Sequence, residues 1–515
     1  MKIKQKWFIV SLILSFLVVT ACKSQEKPEV DHTAVSPSPK ETTITYDIFL
    51  NRGDSGYPDN GGEGRQLILD ALNKAGISGV DYKVTLTSGQ EYFTKLNLMI
   101  AGGKVPDYFS VDQPTMMKLA DEGLIMPLDD LLKDMPQAMA QMLPEDLESA
   151  TYNGKIYALP DATRTESFNG RNVSGLIVRQ DWLDKLDLNT PRTLDQFYEA
   201  IKKFTLDDPD GNSVNDTYGL GGYKPTGFGS ASGFEAVFGA YGVLPPFWIE
   251  RDGMIKQGLV LPETKEVLSI LQSWYKEGLI DPEFPVTSDK QLEEKIVNSK
   301  VGIANRTAWI VDPTNAVQKG IKELTPSAEL TILVPPTGPG GSGLPEQSPG
   351  AKGLRAVSAK VKDPTKLAKL LNWTASDKAD GGFMLTAYGV EGKDYTFDQE
   401  SNLIIQTSSS SELVARGLSN PVQFIKVTDR RWSPKVVLDA LKVSNDNTLS
   451  NALWVTVPAQ LEYPDLVKLW EEYFIKIVTG EFSVDKWEEL VQKYYSQGGK
   501  EIEEQANAEW KKINS

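Results

Sequence analysis

The sequence is nearly devoid of histidine and cysteine. Its 515 residues include one of each, His32 and Cys22, and both stand near the start of the chain. The rest of the chain therefore has no Ser-His-Asp or Cys-His site, no His-ligated zinc and no histidine general base. It cannot form a disulfide, and it carries no GxxxxGK[ST] loop for nucleotides. Among enzymes, those with paired catalytic carboxylates, such as glycoside hydrolases, remain open.

Basic residues are fewer than acidic residues. Lys and Arg number 54 against 70 Asp and Glu, and the formal net charge is −16. Removing residues 1–21 takes away three lysines and no acid, so the charge becomes −19. This acidity argues against a nucleic-acid partner, because nucleic acids are bound mainly through many Lys and Arg side chains that neutralise phosphates. The hydrophobic content of 40% is ordinary for a globular protein, and a chain of this length is expected to form two domains.

Long apolar runs are absent except at Trp7–Val19, which is too short to span a bilayer comfortably. Three lysines precede this run and the sequence VTAC follows it, which predicts a signal peptide over residues 1–21. The last four residues resemble the bacterial lipobox, whose cysteine is acylated. The alternative is an ordinary signal peptide with a chance cysteine. Residues 22–42 are polar and contain prolines, so we expect a disordered tether between lipid-anchored Cys22 and the folded body.

Beyond the tether, β-rich runs alternate with amphipathic helices. Residues 44–50 (ITYDIFL) predict an opening strand, and residues 105–110 (VPDYFS) predict a second buried strand. Capping-box patterns predict helices after Ser88 and Thr193, and Pro262 is well placed to open another. The alternation predicts α/β layers. No eightfold strand–helix rhythm is present, as a barrel hydrolase would require.

Seven stretches of the body follow one another in a recognisable order. They are IAGGKVPDYFSVD…LADEGLIMPLDDLL (100–132), NGKIYALP (153–160), LIVRQDWLDKLDLNTPRTLDQFYEAIKKF (176–204), YKEGLIDPEF (275–284), VGIANRTAW (301–309), LLNWTASDKADGGFMLTAYGVEGKDYTF (370–397) and YYSQGGKEIEEQANAEWKK (494–512). Together they resemble the extracellular solute-binding proteins of family 1, the receptors of ABC sugar importers. Within that family the chain is similar to the larger lipoproteins that include alginate- and pectin-type oligosaccharide receptors.

The resemblance implies a two-lobed α/β fold of the periplasmic-binding-protein type (type II), with a hinge between the lobes. Lobe one is expected to comprise 43–175 plus 354–425, and lobe two 176–353 plus 426–515. Such receptors close around a ligand between the lobes, and a membrane permease reads the closed state. The expected protein is therefore a monomeric receptor and not an enzyme. It would deliver an oligosaccharide to ABC permease subunits at the outer face of the cytoplasmic membrane, held there only by its lipid.

An oxygen-rich motif, DPDGNSVNDT, stands at residues 208–217. Oxygen-bearing side chains at alternate positions match the first half of an EF-hand loop and predict a structural Ca²⁺ site away from the ligand. Ser213 and Gly219 depart from the EF-hand pattern, and the alginate-binding relatives end a similar loop with an acid where this chain has Thr217. The alternative is an Asp/Asn/Gly-rich turn without metal. The expected ligands are Asp208, Asp210, Asn212, the Val214 carbonyl, Asp216 and Thr217.

Sugar clefts combine aromatic ring faces with planar polar side chains. Ligands of open α/β sheets bind beyond the carboxyl ends of strands, which favours the loops after the two predicted strands. Trp309 stands where the resembling receptors commonly place a stacking aromatic. If several arginines line the cleft, an anionic sugar such as a uronate oligomer becomes the hypothesis. The expected ligand-binding residues are Asn51, Arg52, Asp54, Asp112, Gln113, Arg164, Glu166, Trp248, Arg306, Trp309, Arg355 and Trp432.

Two other functions stay open at this level. One is a surface enzyme that degrades polysaccharide with paired carboxylates, against which the missing barrel rhythm weighs. The other is a receptor for a peptide or a signalling molecule on the same fold, which fold alone does not separate from a sugar receptor.

Overall fold

The computed structural model describes residues 42–53, 56–142, 144–160, 174–227, 229–313, 315–346, 353–400, 403–418 and 435–514. The predictions for Cys22, Asp54, Arg164, Glu166 and Trp432 lie outside the described residues. Over the described ranges, no helix combines the length and the apolar character needed to cross a membrane.

The strands are numbered in chain order. They are β1 (Ile44–Asn51), β2 (Val80–Thr87), β3 (Tyr108–Val111), β4 (Thr151–Tyr152), β5 (Lys155–Ile156), β6 (Ala158–Pro160), β7 (Ser174–Arg179), β8 (Tyr218–Leu220), β9 (Trp248–Arg251), β10 (Met254–Gln257), β11 (Val301–Thr307), β12 (Leu330–Leu333), β13 (Leu344–Pro345), β14 (Leu354–Val357), β15 (Tyr395–Asp398), β16 (Leu403–Gln406) and β17 (Thr448–Leu449).

The helices are numbered in the same way. They are α1 (Gly62–Lys74), α2 (Gly89–Ala101), α3 (Gln113–Asp121), α4 (Pro136–Met139), α5 (Pro144–Glu148), α6 (Gln180–Lys185), α7 (Leu194–Leu206), α8 (Glu235–Ala240), α9 (Pro262–Lys276), α10 (Asp289–Val297), α11 (Ala316–Leu324), α12 (Pro364–Thr374), α13 (Phe383–Tyr388), α14 (Ser410–Ala415), α15 (Lys435–Asp446), α16 (Pro458–Glu462), α17 (Asp465–Val478), α18 (Lys486–Tyr494) and α19 (Lys500–Ile513). Short 3₁₀ helices span Leu131–Asp134, Gly258–Val260 and Ala308–Val311, and a π-helical turn spans Tyr495–Gly499.

Five strands form the first sheet, in the order β2-β1-β3-β14-β6. β1 pairs in parallel with β2 and β3, and β14 lies antiparallel between β3 and β6. Both faces are covered: Ile48 packs with α1 and α12, whereas its neighbour Phe49 packs with α2 and α3. A strand with two covered faces has no polar side, which explains the apolar run ITYDIFL. We call the elements packed on this sheet the first lobe.

Four strands form the second sheet, in the order β12-β7-β11-β8. β7 is antiparallel to β11 and β12, and β8 is parallel to β11. Val178 joins a core with α6, α7 and α9, whereas its neighbour Ile177 joins a core with α10, α11 and α15. We call the elements packed on this sheet the second lobe. Each sheet therefore lies between two helical layers, as the alternation of strands and helices predicts.

Helix boundaries follow the sequence signals with one exception. The Thr193 hydroxyl and the Gln196 side chain form a reciprocal capping box on α7, and Pro262 opens α9. Ser88 precedes α2 but makes no capping hydrogen bond through its side chain, so the capping box predicted there is wrong. The Gly89 N–H, at a residue with φ of 64°, instead donates to Asn51 Oδ1 at 2.9 Å.

The chain passes between the two sheets at one end of the strands in each sheet. Leu354 pairs with both Val111 and Pro160, so the ends of β3 and β6 share an edge with the start of β14. At the second sheet, the start of β7 at Ser174 pairs with the end of β11 at Thr307. The chain leaves the first sheet after Pro160, enters the second at Ser174 and returns before Leu354. We call these two sets of strand ends the first-lobe edge and the second-lobe edge. A cleft between the lobes is expected between them. The predicted lobe boundary after residue 175 falls inside β7.

Candidate functional site

The loop after β1 is held in place at the first-lobe edge. The Asn51 N–H donates to Ser110 Oγ at 2.9 Å, while its side-chain Oδ1 accepts from Gly89. The Arg52 N–H donates to the Thr87 carbonyl at 2.9 Å. The side chains of Asn51 and Arg52 are half-buried. Both predicted residues therefore lie where β1, β2 and β3 end together.

Asp112 and Gln113 begin α3 at the same edge. The exposed Asp112 carboxylate caps the helix by accepting a backbone N–H at 2.8 Å. Gln113 reaches in two directions: its Nε2 donates to the Ser149 carbonyl at 2.9 Å, and its Oε1 accepts from the Thr456 N–H at 2.9 Å. Residues on either side of Thr456 belong to the second-lobe core. Gln113 thus joins the two lobes through one polar contact.

Trp454 is an aromatic residue close to this contact, two residues before Thr456. It is half-buried and packs edge-on against Phe247, with 5.3 Å between the ring centroids.

Arg355 is buried at the first-lobe edge, with 7% of its surface exposed. Its Nη1 donates to the Leu354 carbonyl at 3.3 Å. A Cβ placed on Gly353, whose φ is 115°, would come within 2.7 Å of that Nη1, so the guanidinium folds back over the point where the chain arrives from the second lobe. Burial raises the pKa of the Tyr92 hydroxyl, and the charge of Arg355 partly opposes that rise.

Three polar residues at the second-lobe edge were missed in the sequence. Tyr223 follows β8, Asn305 lies near the end of β11, and Glu235 is the first residue of α8. The Tyr223 hydroxyl donates to Glu235 Oε1 at 3.4 Å, and the Ser174 hydroxyl donates to Asn305 Oδ1 at 3.2 Å. A signal was available, since Glu235 is the one acidic residue in the apolar and small-residue stretch 217–249.

Arg306 lies at the end of β11, and Trp309 lies in the short 3₁₀ helix that follows. The Arg306 guanidinium forms ion pairs with Asp289 and Glu293 of α10. Burial lowers the pKa of Arg306, but the hydrogen bonds and charges of the two carboxylates outweigh it and raise that pKa. Arg306 is therefore held by ion pairs within the second lobe. Trp309 lies in the short 3₁₀ helix, half-buried against the adjoining core, and keeps part of its ring exposed.

Trp248 was expected to bind the ligand, but its ring is buried. It begins β9 and is 3% exposed within the second-lobe core. Its N–H donates to Asn451 Oδ1 at 2.7 Å, and its carbonyl accepts from Ala452 at 2.9 Å. A ring covered on both faces has no surface to stack on a sugar, so Trp248 contributes packing.

The 208–217 loop is ordered by its own side chains. The Asp208 carboxylate accepts from the N–H groups of Gly211, Asn212 and Ser213 at 3.0–3.1 Å. The Asn212 amide donates to the carboxylates of Asp210, at 2.8 Å, and Asp216, at 3.2 Å. These oxygen-bearing groups therefore converge. Among the described residues, no group of three or more His, Cys, Asp or Glu is arranged as a metal site.

Electrostatics in this loop reflect crowded negative charge. Burial and the neighbouring carboxylates of Asp208 and Asp216 raise the pKa of Asp210. The Lys300 ammonium pairs with Asp216 and, with the Asn212 amide, lowers the Asp216 pKa. Lys185 donates to the carbonyls of residues 208 and 209 at 3.2 and 2.9 Å. Two lysines thus neutralise part of a loop that holds three carboxylates.

Two of the predicted metal ligands already accept or donate hydrogen bonds within the protein. Thr217 is 2% exposed, and its hydroxyl donates to the Phe204 carbonyl at 2.8 Å. The Val214 carbonyl accepts from the Asp216 N–H at 3.1 Å. The Thr217 hydroxyl is directed to the core by that bond, whereas the Val214 carbonyl stays within the loop.

Residues 59–381 match the family of bacterial extracellular solute-binding proteins. Because the match spans more than half of the sequence, the chain belongs to this family. Its members are binding proteins, and the resemblance predicted from the sequence is confirmed.

Two relatives from Bacillus subtilis (strain 168) are similar over most of the length. The polygalacturonan/rhamnogalacturonan-binding protein YtcQ is 25% identical over 428 residues, which cover 79% of this chain and 81% of the relative. Lipoprotein LipO is 26% identical over 401 residues, which cover 76% and 74%.

Solved structures show the same fold. The EF-hand mutant of the Streptococcus pneumoniae ABC-transporter substrate-binding protein FusA, in complex with fructo-nystose, has a TM-score of 0.69 at 17% identity, covering 92% of this chain and 99% of that one. The alginate-binding protein AlgQ2, without calcium ion, has a TM-score of 0.68 at 19% identity, covering 92% and 98%. The two-lobed α/β fold predicted from the sequence is confirmed.

Proposed function

We propose that this protein binds an oligosaccharide between its lobes and delivers it to the transmembrane subunits of an ABC importer. The observation that carries the proposal is that polar and aromatic side chains stand at the strand ends between which the chain crosses, where Gln113 of the first lobe accepts from the Thr456 N–H of the second. The sugar-binding names of YtcQ and FusA support the same ligand class.

Ligand contacts to both edges would favour the closed state, since a ligand shifts a conformational equilibrium only by its differential affinity for the two states. The first lobe would contribute Asn51, Arg52, Asp112 and Gln113. The second would contribute the exposed ring of Trp309, which suits a pyranose face. Arg306 and Arg355 are not included, because ion pairing and burial engage their guanidinium groups. No bond in the ligand is broken in this function.

A thermal-shift screen tests the ligand class, because a ligand that binds only the folded state raises its stability. Oligogalacturonides and fructo-oligosaccharides are the first probes. Trp309→Ala should abolish the ligand-induced rise in Tm, whereas Trp510→Ala, which removes a half-buried tryptophan in α19, should lower Tm and keep the rise. New reducing ends after incubation with polysaccharide would instead support an enzyme.

We also propose that Cys22 carries the lipid that holds the protein at the outer face of the membrane. Residues 22–42 would then link the anchor to the folded body, which keeps a monomeric receptor at high local concentration beside its permease. The basis is the VTAC sequence after a short apolar run, and the name of lipoprotein LipO supports it. Cys22→Ser should release the protein into the medium and abolish labelling with a fatty acid.

We infer that the 208–217 loop holds a structural Ca²⁺ ion. Hard cations take carboxylate, amide and carbonyl oxygens, and these groups converge in the loop. Asp208, Asp210, Asn212, Asp216 and the Val214 carbonyl would hold the ion. Thr217 is omitted because its hydroxyl bonds to the core. The names of AlgQ2 and the FusA mutant, which mention calcium and an EF-hand, favour the same assignment.

A further inference from the structure

Glu235 is a buried acid at the second-lobe edge whose hydrogen bonding is incomplete. Its surface is 8% exposed. One oxygen, Oε1, accepts from the Gly233 N–H at 3.3 Å and from the Tyr223 hydroxyl at 3.4 Å. The other, Oε2, is buried without a hydrogen-bond partner in the part of the chain that the structure describes, as is the hydroxyl of Ser232. A buried acceptor left without a partner costs free energy and calls for an explanation.

The surroundings do not favour a charged carboxylate here. Burial raises the pKa of Glu235, and the neighbouring backbone N–H groups, Asn305 and Tyr223 oppose that rise only in part. The charge of Glu235 in turn raises the pKa of Tyr223, as do burial and Asp289. Arg306 of β11, whose charge acts on Tyr223, is itself paired with Asp289 and Glu293 of α10. A neutral glutamine would therefore be the more stable choice at this position.

Close packing fixes the position of Glu235. A Cβ on Gly222 would come within 2.6 Å of the Phe234 ring, so the segment before Tyr223 is pressed against the segment that leads into α8. The Tyr223 N–H donates to the Ser232 carbonyl at 3.0 Å and ties the two segments together. Polar groups held in this way are preorganised, which is what selective recognition needs.

Tyr223 and Asn305 both lie beside this carboxyl, on segments that end at the second-lobe edge. Tyr223 follows the end of β8, and Asn305 precedes the end of β11, where the chain enters from the first lobe. We propose that Glu235 is a positioning residue of the cleft, which acts through the Tyr223 hydroxyl and the Asn305 amide to fix where they meet sugar hydroxyls. This inference rests on the proposed function and goes further by naming what aligns the second-lobe edge.

The test compares Glu235→Gln, Tyr223→Phe and the double variant in the full chain, with nystose and trigalacturonate as probes. Glu235→Gln should weaken binding of the probe that the unaltered protein binds by about 2- to 12-fold, the range expected for one hydrogen bond. Tyr223→Phe should weaken it similarly. Because both residues act as one unit, the double variant should bind no more weakly than either single variant.

Stability supplies the readout that separates positioning from a folding defect. The folded pKa of Glu235 lies above the unfolded one, so the folded state binds more protons and loses stability as pH rises through that interval. Glu235→Gln lacks this loss and should have a higher Tm than the unaltered protein at neutral pH. The difference in Tm between the two proteins should shrink as pH falls toward the ordinary glutamate pKa. Reduced affinity in a more stable protein is the expected result.

Two results would overturn the inference. If the unaltered protein binds a probe and Glu235→Gln binds it equally well, Glu235 does not position the cleft, although the receptor function stands. If the unaltered protein binds neither probe nor any other glycan, the proposed function fails and this inference with it. Asp394→Asn, which removes a well-paired buried acid in the first lobe, is the matched control and should lower stability without changing affinity.

Discussion

Gln113 offers a direct test of how the lobes are coupled. Its Nε2 contact with Ser149 lies inside the first lobe, whereas its Oε1 contact with Thr456 crosses to the second. When the hinge opens, the first contact persists and only the second is lost. Gln113→Ala should therefore destabilise the closed state by the free energy of the crossing hydrogen bond. Helix α3 should remain intact, because alanine is the best helix former and Asp112 still caps the helix.

The size of the effect follows from one neutral hydrogen bond. Such a bond contributes about 0.5–1.5 kcal/mol net, which corresponds to about a 2- to 12-fold loss of affinity if closure is required for binding. Isothermal titration with the tightest glycan of the panel measures this loss, and small-angle scattering measures the radius of gyration with and without ligand.

Gln141→Ala is the matched control for Gln113→Ala. The Gln141 amide donates to the Ala375 carbonyl at 3.3 Å, and both residues belong to the first lobe. It should leave affinity unchanged. Equal affinity and equal closure in Gln113→Ala would refute the reasoning, because the crossing contact would then be the same in both states.

Three further predictions concern the rest of the chain. Lys300→Met frees the Asp216 carboxylate and should enlarge the rise in Tm between EDTA and Ca²⁺; the absence of any rise in both proteins would contradict the calcium assignment. Trp470→Ala removes a fully buried ring and should cost about 3–5 kcal/mol in urea unfolding, whereas a loss below about 1 kcal/mol would show that the site collapses around the gap. Asp394 is buried, yet hydrogen bonds from Val390, Ser408 and Arg416 outweigh that burial and lower its pKa. The stability it confers is present above the ordinary aspartate pKa and lost as pH falls through the folded one. Because Arg416 keeps its pair with Glu63, Asp394→Asn should cost about 1.5–3 kcal/mol at neutral pH and nothing at strongly acid pH.

The elements of the fold were predictable wherever the signal is local. The capping box at Thr193 lies within four residues, and the opening strand reads as an apolar run because both of its faces are covered. The same pattern at Ser88 was misleading, because the backbone at Gly89, with a φ of 64°, is not right-handed helical, and its N–H donates to Asn51, 38 residues earlier in the chain. A capping box requires helical backbone directly after its first residue, and here the backbone is held by a residue distant in sequence.

The candidate site was predictable only in part, for the same reason. The first-lobe loops follow strand ends, so the position of Asn51 and Gln113 at that edge could be predicted. Trp248 was wrongly assigned to the ligand site because its burial in the second-lobe core depends on segments distant in sequence. Glu235 was passed over because a lone acid in an apolar stretch has no motif. Its significance comes from burial beside Tyr223 and Asn305, which only the fold brings together.

The position of β14 in the first sheet has a consequence for how the chain folds. Every strand of the second sheet lies between residues 174 and 333, so that sheet has its full sequence together. The first sheet does not, because β14 (Leu354–Val357) must enter between β3 and β6, which are made long before it. Non-local pairings form late, so we expect the second sheet to assemble first. Until β14 arrives, β3 and β6 keep edges open to aggregation, and a chain shortened before residue 354 would never close that gap.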